Sequence, residues 1–487
     1  MTSPLALGLA EWSHALRWDA LPADLQERVR LWVLDSVGLM LAGSTIPSGR
    51  AVLGVVRHQG GRPEATVIGL GERVPAAWSA FAHGSFAHGL DFDDTFPGSI
   101  VHPGSLVVPA ALAVAESVSA DGAQLGAAVA AGYEVAARLG APAGRAFHAR
   151  GFQATSVVGP LVAATVAGKL YRLPPRTTAE AMGLAGSMGG GLLEFLADGS
   201  WAKRVHPGWA AHGGIVAAQL AAAGIPGPLS VLEGRYGLYA AFLGAGTADP
   251  ASMLDGLGVA WWALEGRAKL YPCAHVIHPF LDAARAVAAG HAPEALDVEA
   301  VICDVEPWQI PIVCEPRPEK VAPRTEYEAR ASLPYCLAAV LVDGRVDLET
   351  FAPEAVARPD LLAMAGRITH REAVASAAGS PPGATEGTGG AFGGSAGGAA
   401  IEITLRDGRR LSRAVSAVRA PGPEAVRAKF GRTAGRRLPA DRAAALAAAV
   451  SDLPATSAAE LLARCTKPVT PAQRERPSPR PDRAPGS

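Results

Sequence analysis

The chain is short of four things: net charge, paired cysteines, aromatic rings and long apolar runs. Its 487 residues carry 44 Lys plus Arg against 45 Asp plus Glu. That balance leaves no broad basic field for general nucleic-acid or membrane-surface binding, so any anion must be attracted by a local pocket. The five cysteines, Cys273, Cys303, Cys314, Cys336 and Cys465, are an odd set with no CxxC spacing. They argue against a disulfide framework or structural zinc and read as small core residues. No run reaches the roughly 18 apolar residues a bilayer span needs: Asp35 interrupts 29–43, and 156–168 is too short. No membrane partner is expected. The N-terminus lacks a basic region followed by an apolar stretch and a cleavage site, so a cytoplasmic location is expected. Aromatics make up 6% of a chain that is 49% apolar. Ala and Gly fill the difference, which predicts closely approaching, largely buried helices.

What is present divides the chain by texture. Over residues 1–268 apolar positions recur at helical spacing, as at Leu31, Leu34, Val37 and Leu41 behind the Asp24 cap candidate. Similar patterns cover 78–90, 105–119, 124–139, 155–170, 180–188 and 209–223, with Gly, Pro and Asp at the joins. From 269 to 421 the reading is mixed α+β. Residues 301–305 and 310–313 are short β-branched runs, and 401–405 and 411–418 flank an Arg406-Asp407-Gly408 turn as a hairpin. A helix over 335–342 lies between them. Residues 422–466 turn helical again and would rejoin the first domain. The Gly-rich 378–400 is expected as a flexible loop, and the Pro/Arg-rich 467–487 as a disordered tail.

Three polar clusters could carry chemistry. The densest is His83, His88, Asp91, Asp93, Asp94, Thr95 and His102, in AHGSFAHGLDFDDTFPGSIVHPGS. It follows a helix, and Pro97-Gly98 forces a loop, where functional groups are commonly presented. Each carboxylate alone could simply cap a helix, but three in four residues repel one another and point to a site. DFDDT also matches the DxDxT of aspartate-nucleophile phosphatases, but that motif needs a preceding hydrophobic strand, and a helix stands here instead. Histidine and aspartate are good metal ligands, yet the spacing matches no helix-borne two-histidine motif, so no metal is assigned.

The second cluster is Lys203, Arg204, His206 and His212 in GSWAKRVHPGWAAHGG, where a Lys-Arg pair beside a histidine suits a carboxylate. The bland alternative is a solvated helix start. The third, Lys269, Tyr271, His275 and His278 in KLYPCAHVIHP, lies at the change of texture, where a cleft between domains is common. Tyr335 in ARASLPYCLA fits either a site or an ordinary half-buried helix position.

These segments resemble the MmgE/PrpD family, which contains 2-methylcitrate dehydratase and cis-aconitate decarboxylase. The motifs LDFDDT with HPGS, GYEVAARLG, GFQATSVVGPL, AMGLAGSMGGG, WAKRVHPGWAAHGG, LYPCAHVIHP and ASLPYCLA occur in the family's order from about Leu7 to about Cys465. The resemblance implies a mainly α fold with α+β: a large all-helical domain built from both chain ends, with a smaller α+β lid inserted. It also implies a homodimer and no metal or organic cofactor. Carried over by motif, Asp91, Thr95, His102, Lys203 and His275 would be catalytic. Gln153, Arg204, His206 and Tyr335 would bind substrate. His102 sits one residue farther from DFDDT than in the decarboxylase, and GFQ replaces the family's GFH, so Gln153 can hydrogen-bond a carboxylate but cannot titrate.

The function this implies is a cofactor-independent lyase of the dehydratase type. It would abstract a proton next to a carboxylate of a small polycarboxylic acid. An isomerase, epimerase or decarboxylase of a related acid needs similar chemistry. A metal-dependent or non-catalytic binding protein on the same fold is the alternative of a different class.

Overall fold

The computed structural model describes residues 3–289, 297–373, 398–415 and 420–466. The expectations for 378–397, for 416–418 and for the tail 467–487 fall outside the described residues. Helices dominate, with a small mixed sheet, so the molecule is mainly α with an α+β part.

Two separate apolar cores organise the chain. The first draws on residues from Ala6 to Ala263 and again from Phe430 to Cys465. Its central helices are α1 (Ala23–Gly43), α2 (Ala76–His88), α3 (Gly104–Ser117), α4 (Gly122–Gly140), α5 (Ala154–Leu170) and α6 (Ala202–Ala222). Helix α3 is buried on every face from Gly104 to Glu116 and α5 from Ala154 to Gly168, which requires apolar residues all round. An alanine contributes little burial at roughly 0.8 kcal/mol per CH2, so cohesion has to come from close approach. At the α2–α6 crossing, a Cβ on Gly208 would meet the Phe81 carbonyl oxygen at 2.2 Å, and one on Gly84 would meet the Gly208 Cα at 2.7 Å.

Some boundaries differ from expectation. Asp24 is not the cap of α1 but lies in its first turn, behind Pro22, where its carboxylate accepts from the Leu25 N–H at 2.9 Å. Helix α6 opens at Ala202 rather than near 209, because its first turns hold polar residues that break the apolar period without breaking the helix. Lys203, Arg204 and His206 therefore stand inside the helix, not before it.

The second core runs from Tyr271 to Leu405. Strands β1 (Val298–Val305), β2 (Ile368–Glu372), β3 (Ala399–Leu405) and β4 (Arg410–Val415) form a sheet in the order β2-β1-β3-β4. β1 pairs parallel to β2, with Val301 opposite Ile368, and antiparallel to β3, with Val301 opposite Ile403. Alternate burial along β3 turns Ile401, Ile403 and Leu405 inward, toward α7 (His278–Ala288), which also packs on β4. Helix α8 (Leu333–Asp343) packs on α7 and reaches β2. The hairpin turns at Gly408, whose φ of 87° suits glycine. The β-branched run 310–313 is a helical turn instead of a strand: Pro311 removes a ladder donor and fits a first turn.

After the sheet the chain returns to the first core through α9 (Pro423–Ala434), which lies along α1. Lys429 of α9 is fully buried and donates to Asp35 at 2.8 Å and to the Phe92 carbonyl at 2.6 Å. No single described helix is long and apolar enough to cross a membrane. All five cysteines are free and buried.

Candidate active site at the junction of the two cores

The site forms where the loop 89–103, between α2 and α3, meets the crossover into the second core. Helix α2 stops at His88, and the chain turns through Asp91 in the left-handed region at φ 50°. A non-glycine residue held there is strained, a cost found at positions that surrounding contacts over-determine. Here the contacts are visible. Thr95 and Arg267 exchange two backbone hydrogen bonds at 2.9 and 3.0 Å, pinning the loop beside the segment that carries Lys269. Arg330 donates to the carbonyls of Leu90 (2.8 Å) and Pro272 (2.6 Å), tying both sides to the second core.

Asp91 is the electrostatic centre. Its carboxylate accepts from Lys269 at 2.5 Å and from Lys203 at 3.0 Å, and its carbonyl accepts from Lys269 at 3.0 Å. Burial alone would raise this carboxyl, but Lys203, Lys269 and His88 hold it well below the usual range. Asp91 takes one hydrogen bond from Lys203, whose ammonium has further N–H donors to offer an incoming anion. Tyr327 closes one side, its ring 5.5 Å from the Lys203 ammonium.

A hydrogen-bonded chain runs behind this centre. His88 donates from Nδ1 to Asp93 at 2.7 Å, and the same Asp93 oxygen lies 3.4 Å from Nδ1 of His102. His102 Nδ1 also lies 2.9 Å from the Asp94 carbonyl, which requires its proton there and leaves the lone pair on Nε2. Thr95 Oγ1 is 3.4 Å from the same Nδ1. Burial holds His102 well below its usual value; Asp93 pulls the other way, while Lys269, His88 and Lys203 add to the effect. Asp93 is itself depressed: His88 and His102 outweigh its burial. Asp94, by contrast, is raised to about 7 by burial and nearby Asp35, although Tyr133 and the Gly104 N–H donate to it.

Of the residues expected in the site, Asp91, Thr95, His102 and Lys203 come together. His275 joins them from the crossover: burial, His278, Lys269 and His102 hold it well below its usual value, and its Nε2 is buried without a hydrogen-bond partner. Gln153 and His206 extend the chain beyond His88, at 3.0 and 2.7 Å. Two others point elsewhere. Arg204 donates to Ser48 (3.0 Å) and Glu326 (2.7 Å), joining α6 to the lid. Tyr335 lies inside the second core and donates to the Thr350 carbonyl at 2.8 Å.

Sequence reading assigns no role to Lys269, His88, Asp93 or Tyr327. The nearest signal for Lys269 is its place in the third polar cluster, four residues before Tyr271-Pro272-Cys273 ends.

His88, Asp93 and His102 are the one three-residue group among the described residues whose atoms could reach a common ion, within 4.8 Å of one another. An ion held through Nδ1 of His102 would displace the proton that the Asp94 carbonyl accepts at 2.9 Å. The geometry fits a proton-ordered chain better than a ligand set.

Both halves of the chain match known protein families. The MmgE/PrpD N-terminal domain matches residues 8–251 and the MmgE/PrpD C-terminal domain matches residues 271–454. The chain is similar to cis-aconitate decarboxylase of Aspergillus terreus, at 25% identity over 380 residues, covering 74% of this chain and 77% of that protein. It is likewise similar to the cis-aconitate decarboxylases of Mus musculus (27%, covering 72% of each) and Homo sapiens (27%, covering 73% and 74%). With both domain types matched in order over nearly the whole described chain, the protein belongs to the MmgE/PrpD family.

Proposed function

We propose that the protein is a cofactor-independent lyase that abstracts a proton next to a carboxylate of a small polycarboxylic acid. The observation that carries this reading is Asp91 shared by two lysines beside the neutral His102. A substrate carboxylate entering beside Asp91 makes charge-assisted hydrogen bonds to Lys203 and Lys269. Burial is the main reason His102 does not accept a proton, and the arriving carboxylate offsets the part that Lys269 and Lys203 add to it. Binding therefore strengthens the base. His102 Nε2 then removes the proton, and the lysines with His275 stabilise the charge that develops on the aci-carboxylate. Thr95 orients the imidazole.

The leaving group divides the family's reactions: hydroxide for a dehydratase, carbon dioxide for a decarboxylase. The relatives' names favour the second on cis-aconitate as the alternative. Proton NMR of the purified protein in D2O, with 2-methylcitrate, citrate, cis-aconitate and hydroxydicarboxylates, tests both. New vinylic signals are the expected result and name the substrate; their nature separates dehydration from decarboxylation. Deuterium wash-in without elimination would replace the lyase by an epimerase, and silence across the panel would overturn the reading. Turnover is expected to survive prolonged treatment with a chelator.

A further inference from the structure

The hydrogen-bonded chain does not end at His88. Gln153, at the N-terminus of α5 and 2% exposed, lies between two histidines from other helices. Its Nε2 is 3.0 Å from Nε2 of His88, and its Oε1 is 2.7 Å from Nδ1 of His206. Chemistry fixes the direction of every bond. Asp93 is ionised and accepts, so the His88 proton must sit on Nδ1. The Gln153 nitrogen that faces the other ring nitrogen is an NH2 and can only donate, so Nε2 of His88 accepts there. The amide oxygen consequently faces His206, whose Nδ1 must carry a proton to meet it.

We infer that Gln153 is a positioning residue whose single amide sets the tautomers of two histidines at once, leaving Nε2 of His206 as a second proton acceptor in the cleft. His206 sits one helical turn after Lys203 on α6, edge-on to Phe195, whose ring also meets Tyr327. Burial first, then His88 and Lys203, brings His206 down to about 4, so it is uncharged at neutral pH. The backbone makes room for this ring at Gly191: a Cβ there would lie 3.2 Å from His206 Nδ1, and its φ of 89° already excludes most side chains. The site thus has an uncharged imidazole at each end of one chain, His102 and His206, with Asp93, His88 and Gln153 between them. A residue that cannot titrate governs the proton inventory of two that can.

The inference rests on the lyase reading only for the cleft being the reacting site, and its test uses no substrate. The full chain is labelled with 15N-histidine, and the His206 signals are assigned by their loss in His206→Gln. Long-range 1H–15N spectra then report tautomer and charge. In the unsubstituted protein, His206 should be neutral and protonated on Nδ1 from pH 6 to 8. An Nε2–H tautomer or an imidazolium would overturn the inference. In Gln153→Met the preference should relax toward the Nε2–H form that free imidazole favours; an unchanged tautomer would also overturn it. Gln153→Glu keeps the length but places a charge against both rings, and should raise the His206 pKa by about 1–3 units. A titration that does not move would count against the amide's role, even if the methionine variant fails to fold.

Discussion

At the scale of single residues, Asp91 binds two lysines that differ in burial, and their replacement should separate binding from stability. Lys203 is partly open to the cleft, whereas Lys269 is fully buried with both its partners on Asp91. Lys203→Met should raise KM by roughly 10- to 100-fold, the loss of one charge-assisted hydrogen bond, with an unchanged thermal midpoint. Lys269→Met leaves a buried carboxylate short of a partner and should cost about 3 kcal/mol of stability, measurable by denaturant unfolding. His102→Ala should reduce kcat at least about 100-fold, the usual contribution of a positioned base, with the circular dichroism spectrum intact. Because burial lowers the free-protein pKa of His102, the acidic limb of kcat/KM should lie below the ordinary 6.5 of histidine. The sign follows from the role of base: activity falls as pH drops through the lowered value and is retained at pH 6.

Much of this site was legible in the sequence. Asp91, Thr95 and His102 fall in one short polar stretch, and Lys203 and His275 fall in two more. Lys269 was not, because a lysine becomes significant only through a partner far along the chain. Arg204 and Tyr335 are of types that suit a carboxylate site, and the structure pairs the first with Ser48 and Glu326 and the second with the Thr350 carbonyl.

At the scale of elements, glycines decide how the helices cross. Gly208→Ala would push a methyl group into the Phe81 backbone carbonyl, which cannot swing aside. The expected cost is about 2–3 kcal/mol, and since α6 also carries Lys203 and His206, activity should fall further than stability alone explains. A thermal melt paired with kcat/KM checks this. The helices were legible from their 3.6-residue period, which located α3, α4, α5 and α8 to within about two residues. Helix α6 began earlier than its apolar pattern because a functional face interrupts that period at Lys203 and His206. The run at 310–313 shows the opposite failure, in which β-branched composition yields to a proline.

At the scale of the whole molecule, the candidate site belongs to neither core alone. The carboxylates and His102 come from the helical body, His275 and Lys269 from the crossover, and Arg330 of the lid clamps Leu90 to Pro272. Exchanging Arg330 for methionine should therefore loosen the loop and reduce turnover without removing any group that would touch substrate. Limited proteolysis between 267 and 275 is the readout. This dependence across the chain was the least visible feature beforehand, since it lies in long-range pairing and not in any local pattern.

The pairing of Lys429 with Asp35 sets a timetable as well as a contact. While the chain is being made, α1 leaves the ribosome hundreds of residues ahead of Lys429, the buried cation that reaches its acid. Until α9 arrives, the helical body must leave Asp35 wet or protonated, and the carbonyl of Phe92, beside Asp91 and Asp93, lacks its donor. A helix made early is thus completed by one made much later, and a ribosome stalled anywhere before residue 429 holds a chain in which the loop of the candidate site has no finished floor.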